Sequence, residues 1–289
     1  MLQYNAGTAR PGNQPCSRPV GASAWFPAVS LAAGLTFGTI AQEAHAAPAE
    51  AEPFKVANVH FETNASACDM GIQIKFDTEG ITKGSIQDPN GHTIYRFQAA
   101  GGIRATGGQA EGFLEGIEPQ IPELVLALGC EPEQEEGTMA LDDLLATFPA
   151  GDYTFKGQRQ NEKSKSQATL THFIPAGPEV IAPAEGTVFP SAAIVIIDWE
   201  PVIEAILPEL GPVNIVGYHV IIEEAGAEVT PTVDIDVPSS ETSLTVPEQY
   251  LKSSTVYRFE VLSTEESGNQ TITEGFFCTD GVADCVLPD

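Results

Sequence analysis

Between Ala193 and Phe277 the chain is a run of short segments, separated by turn residues, in which apolar residues recur at every second position, and this period narrows its possible folds most. AIVIIDW (Ala193–Trp199) puts Ala193, Val195, Ile197 and Trp199 on one face. IVGYHVII (Ile215–Ile222) does the same with Val216, Tyr218, Val220 and Ile222. VDIDV (Val233–Val237) turns Asp234 and Asp236 away from its apolar residues, and SLTV (Ser243–Val246), VYRFEVL (Val256–Leu262) and TITEGFF (Thr271–Phe277) complete the set. A helix would repeat its apolar positions every third or fourth residue. About seven short strands with regularly spaced turns are the pattern of a two-sheet antiparallel sandwich.

The details of this segment resemble a fibronectin type III domain. Trp199 followed by Glu200-Pro201 is similar to that family's core tryptophan at the end of the second strand, and IVGYHV with Tyr218 to its third strand. Leu251, six residues before Tyr257, matches the leucine of the corner before the sixth strand, and SGNQT (Ser267–Thr271) the last hairpin turn. By analogy with the tyrosine corner of related sandwiches, the Tyr257 hydroxyl is expected to bond back to the preceding corner. PVIEAILPELGPVN (Pro201–Asn214) is a longer link than the family usually carries. No Arg-Gly-Asp tripeptide is present, so integrin-type adhesion does not carry over.

The segment before it, residues 54–175, is also β-rich. GIQIKFD (Gly71–Asp77) places Ile72, Ile74 and Phe76 on one face, and SIQDPNGHTIYRF (Ser85–Phe97) reads as strand, Pro-Asn-Gly turn, strand. FPAGDYTFKG (Phe148–Gly157) and ATLTHFI (Ala168–Ile174) add two more strands. In TMALDDLLATF (Thr138–Phe148), Leu141, Leu144, Leu145 and Phe148 keep helical spacing, with Thr138 as the expected N-cap. Pro119 and Pro122 are expected to break the helical pattern of residues 113–128 into turns. The expected fold class is therefore all-β: an immunoglobulin-like sandwich with a short helical insertion, then a fibronectin type III-like sandwich at 178–280 and a tail at 281–289. IPAGPEV (Ile174–Val180), with two prolines and a glycine, reads as a short stiff linker between them.

Residues 1–46 read as a cleaved export signal. Arg10 and Arg18 precede an uncharged apolar run, Ala24–Ala41, and AHAA (Ala44–Ala47) supplies the small residues of a cleavage site. The alternative is an anchor, but the run lies at the lower limit for a span and contains Pro27. Cleavage removes Cys16 and turns five cysteines into four, an even number that in an exported chain points to disulfides. Of the three possible connectivities, spacing favours Cys278–Cys285 and Cys68–Cys130. The expected location is periplasmic or extracellular, with no membrane insertion after cleavage.

The formal charge of the whole chain is −27, and the mature chain is one charge more negative still. Such a surface repels phosphate backbones and anionic headgroups, so no nucleic-acid partner is expected. No Gly-x-Ser-x-Gly elbow is present, and His60, His92, His172 and His219 lack metal-ligand spacing. Acidic stretches at Glu131–Gly137, Asp77–Gly80 and Asp280–Asp284 leave calcium as a weak option, although none fits a D-x-[DN]-x-[DN]-G loop. Asn64–Ser66 and Asn269–Thr271 match glycosylation sequons, relevant only to a eukaryotic secretory pathway. Ile194 and Ile196, opposite Trp199, are expected to be covered by the first domain or by a partner, with the PVIEAILPEL link (Pro201–Leu210) as a candidate cover. No cofactor is implied. The expected role is an exported, non-enzymatic binding or scaffolding protein for a protein or glycan. A hydrolase or its accessory subunit with an interdomain site, and a calcium-dependent adhesive module, are the alternatives.

Overall fold

The structure is a computed structural model, and it describes residues 52–132, 137–190, 192–226 and 231–288. The expected leader at 1–46, with Cys16, and residues 133–136 of one acidic stretch lie outside the described residues. In the first half the order is β1 (Val56–Asn64), β2 (Asp69–Ile81), β3 (Lys83–Gln87), β4 (Thr93–Gln98) and helix α1 (Gly101–Ala105). It continues with β5 (Gln109–Glu115), α2 (Pro122–Leu128), α3 (Leu141–Thr147), β6 (Gly151–Arg159) and β7 (Glu162–Leu170). The second half begins with the short strands β8 (Val180–Ala182), β9 (Thr187–Phe189) and β10 (Ile196–Trp199). It ends with β11 (Ile215–Glu224), β12 (Val233–Pro238), β13 (Ser243–Thr245), β14 (Val256–Glu265) and β15 (Gln270–Thr279).

The fold is all-β, built from sandwiches. In the second half β13-β10-β8 covers β12-β11-β14-β15, in the fibronectin type III-like arrangement. Its core holds Val195, Ile197, Trp199, Tyr218, Val220, Tyr257, Phe259 and Phe277. In the first half β4-β3-β6-β7 faces β1-β2-β5 across Val59, Phe61, Ile72, Ile74, Phe76, Ile86, Tyr153 and Phe155. Phe76 stacks on Phe97 with ring centres 5.2 Å apart, and Phe54 meets Phe155 edge-on at 5.9 Å. Period-2 alternation thus places one face of each strand in a core, as sheet geometry requires.

One sheet runs through both halves. β1 pairs in parallel with β15, Glu62 opposite Gln270 and Asn64 opposite Ile272, which joins β12-β11-β14-β15 to β1-β2-β5. Residues 48–289 accordingly form one compact unit. IPAGPEV is not a free spacer. Ile174 is fully buried in the first core, Thr271 Oγ1 donates to Pro175 O at 2.7 Å, and Ser263 Oγ donates to Ala176 O at 2.7 Å. The 201–214 link belongs to the same seam, with Ile206 and Leu207 in the first core and Val202 in the second.

Several local expectations are corrected. Pro122 does not break its helix but begins it, because the first helical position needs no amide donor. Helix α3 starts at Leu141 rather than under a Thr138 cap; Ala140 is the cap residue, and Leu141 N donates instead to Glu123 Oε2 at 3.2 Å. Val216 is 52% exposed, because the ladder to β14 shifts register between Ile215 and Gly217 and turns it outward. The Asp77–Gly80 stretch is not a loop but part of β2, with Glu79 paired to Lys55 at 2.7 Å. Ile194 and Ile196 are 73% and 46% exposed, so neither the first half nor the link covers them. The link's Ile206, Leu207 and Leu210 are buried in the first core instead.

Candidate functional site

The fold-marking residues form one apparatus in the second half. Trp199 is buried and lies edge-on to Tyr218 at 5.3 Å, while Tyr218 Oη accepts from Val202 N at 2.9 Å. Tyr257 Oη accepts from Lys252 N at 2.7 Å and donates to Tyr250 O at 3.3 Å. Leu251 packs half-buried beside this corner. Cys278 is joined to Cys285 and Cys68 to Cys130. These residues build a framework, and none of them is arranged for chemistry.

The titratable clusters are largely self-satisfied. Glu62, Glu115 and Glu118 bring carboxylate oxygens within 4.8 Å of one another on the outer face of the long sheet. Gly71 admits Glu118, since a Cβ there would lie 2.5 Å from Glu118 Cγ. Gln73 Nε2 bridges two of the three, donating to Glu62 Oε1 at 2.5 Å and Glu115 Oε1 at 3.2 Å, and Gln270 Nε2 donates to Glu62 Oε2. Burial, with a contribution from Glu115, raises the Glu62 carboxyl above the ordinary range. Amide donors thus hold Glu62 and Glu115. His92 pairs with Asp88, His172 Nε2 lies 2.9 Å from Phe148 O, and His219 meets Asp234 at 2.6 Å. His60 differs: its ring is buried, opposite Gln73 on the neighbouring strand.

A different surface stands out by charge. Seven of the 13 Lys and Arg residues lie between positions 83 and 165, and five of them project from the open face of β4-β3-β6-β7. The ladders fix their arrangement. Arg96, Ser85, Lys156 and Lys165 stand in register across the four strands; Gln98, Lys83, Gln158 and Lys163 form a second row two residues along. The residues between the rows, Phe97, Gly84, Gly157 and Ser164, leave a groove of about 540 Å³. Gly84 must be glycine, because a Cβ there would sit 2.4 Å from the Phe97 ring on the core side.

These five cations are unpaired in salt bridges among the described residues. Lys55, Lys75, Lys252 and Arg258, elsewhere on the surface, each sit against a carboxylate. At one end the groove adjoins a second cavity of about 620 Å³ lined by Lys83, Gln98, Arg104, Gln158 and Arg159. A concentrated positive field on a strongly acidic protein focuses on this one face. The overall charge conceals this face. The signal was the alternation of cation and small polar residue in KGS and EKSKSQ.

No family model and no curated protein matches the chain. Among solved structures, a segment of two fibronectin type III domains from chicken tenascin is 10% identical, covering 78% of this chain and 98% of its own, with a TM-score of 0.25. The fibronectin type III domain of human collagen alpha-1(XX) is 18% identical, covering 40% and 88%, with a TM-score of 0.24. A structure described as a myokine is 16% identical over 37% of this chain and 95% of its own, with a TM-score of 0.24. The fold assignment stands on the topology and cores above. Among the described residues no helix is long and apolar enough to cross a membrane.

Proposed function

We propose that this chain is an exported, non-catalytic binding protein whose contact surface for an anionic partner is the open face of β4-β3-β6-β7. The carrying observation is the five-cation face on a chain of net charge −27, with no carboxylate among the residues that line its groove. Lone surface cations in such a protein would be neutralised by neighbours, as Lys55 and Arg258 are. Keeping five together costs mutual repulsion, which an anionic ligand relieves. Two disulfides support a destination outside the reducing cytoplasm.

The hydrolase alternative is weakened by Gln73, which occupies the space between the Glu62 and Glu115 carboxylates and bonds both. A glycosidase pair needs that space for substrate or water. The test is adsorption of the purified chain to isolated cell-envelope and extracellular polymer fractions at low and high salt. Adsorption that high salt reverses, and that the double variant Lys156→Glu/Lys165→Glu abolishes, is expected. Adsorption unaffected by this charge reversal refutes the assignment of the face.

A further inference from the structure

We infer that the groove accepts an extended uronic-acid polysaccharide lying across the four strands; this rests on the assignment of the basic face above. The geometry of the two rows selects the ligand. Crossing from β4 to β7, the cation stands first in one row (Arg96), then in the other (Lys83), then in the first again (Lys156), and on β7 in both (Lys165 and Lys163). On each of the first three strands the opposite wall carries a neutral hydrogen-bonding group: Gln98, Ser85, Gln158. Adjacent strands are about 4.8 Å apart, and residues two apart along a strand about 7 Å, so the groove is about one sugar ring wide.

A polymer matching this pattern advances about one unit per strand and turns its charge to alternate sides. Uronic acids joined in an extended two-fold conformation do so. Each ring is about as long as the strand spacing, carries one carboxylate, and is rotated by half a turn relative to the last. Their hydroxyls meet the amides and the Ser85 hydroxyl on the wall opposite each carboxylate. Four rings across four strands bring about four carboxylates to five cations. A heavily sulfated chain would roughly double that charge and meet the repulsion of the rest of this acidic surface. Single-stranded nucleic acid is disfavoured because it binds through exposed aromatic platforms, and Phe97, the only aromatic in the groove lining, turns inward to stack on Phe76.

The experiment is calorimetric titration of the full chain with an oligomannuronate hexamer. Comparison probes are a heparin-derived hexasaccharide, poly-glutamate of equal charge and a short single-stranded DNA. The hexamer should bind most tightly. Lys83→Gln and Lys156→Gln, on opposite walls, should each weaken it roughly three- to five-fold, and the two together at least tenfold. Lys75→Gln, on the other sheet, should leave it unchanged. If heparin, poly-glutamate or DNA binds as tightly as the uronate and responds to the same variants, the uronate assignment falls while the basic face survives. If no probe binds, or if Lys83→Gln and Lys156→Gln have no effect, both fall.

Discussion

At the scale of single residues, two side chains show how burial converts chemistry into stability. Tyr257 is fully buried, and its hydroxyl ties the corner at Tyr250 and Lys252 to β14. Tyr257→Phe leaves the Lys252 amide without its partner and should lower stability by about 1 kcal/mol, read as a shift in urea midpoint at constant slope. An unchanged midpoint would contradict the corner's role. His60 makes the opposite case. It stands on β1 opposite Gln73, and burial lowers its pKa to about 4, with Gln73 opposing the shift in part. A pKa depressed from the ordinary 6.5 means that the neutral ring is compatible with the fold and the charged ring is not. Its contribution is intact above pH 6.5 and is lost as pH falls through 4, by about 3 kcal/mol at full protonation. Glu62, whose carboxyl is raised by burial, acts in the reverse sense: its protonated form suits the fold, and that contribution fades as pH rises through its folded pKa. His60→Leu should therefore flatten the acid limb of the stability profile between pH 6.5 and 4. Equal slopes for the variant and the parent would show that His60 does not govern it.

At the scale of elements, the seam between β1 and β15 is decisive, and a side chain belonging to a turn secures it. Asn269 is fully buried; its Oδ1 accepts from Phe61 N at 2.8 Å, and its Nδ2 donates to Thr171 O at 3.1 Å and Phe173 O at 3.0 Å. Both ends of the amide are thus committed, which leaves no free nitrogen for a glycan at that sequon in the folded chain. Asn269→Ala should cost about 3 kcal/mol, because the buried Phe61 amide loses its acceptor and two carbonyls lose their donor. Asn269→Asp should be at least as damaging, since its carboxylate would face both carbonyls. A loss below about 1 kcal/mol for either variant would mean that the clasp is dispensable. The strands themselves were legible in the sequence: alternation in GIQIKFD and VYRFEVL marks the buried faces of β2 and β14. What alternation could not reveal is a partner distant in the chain. Asn269 reads as an ordinary hairpin residue until β1 arrives beside it, and Val216 as a core position until a bulge turns it out. Pro122 begins a helix, yet in sequence a proline carries the same letter whether it ends a helix or begins one.

At the scale of the molecule, the sequence divides at a proline-rich linker while the structure carries one sheet across it. The basic face escaped sequence reading for a related reason: its five cations come from four strands, and only the pairing of β3 with both β4 and β6 sets them in rows. Net charge averages such an array away. The shared sheet has a consequence for unfolding. Separating the halves would expose the β15 edge, break the hydroxyl bonds from Ser263 and Thr271 to the linker, and uncover Ile206 and Leu207. Those losses fall on both halves at once, so the two should unfold together although each has its own core. Within residues 48–289 Trp199 is the only tryptophan, and it reports the second core alone. Circular dichroism in the far ultraviolet reports the strands of both halves. The tryptophan and dichroism transitions in urea should coincide, with a slope appropriate to the whole of residues 48–289 rather than to one sandwich. Asn269→Ala should lower both midpoints equally. Two separated transitions in the parent chain, or a tryptophan midpoint indifferent to that substitution, would show that the sandwiches are thermodynamically independent and that the continuous sheet adds little to their stability.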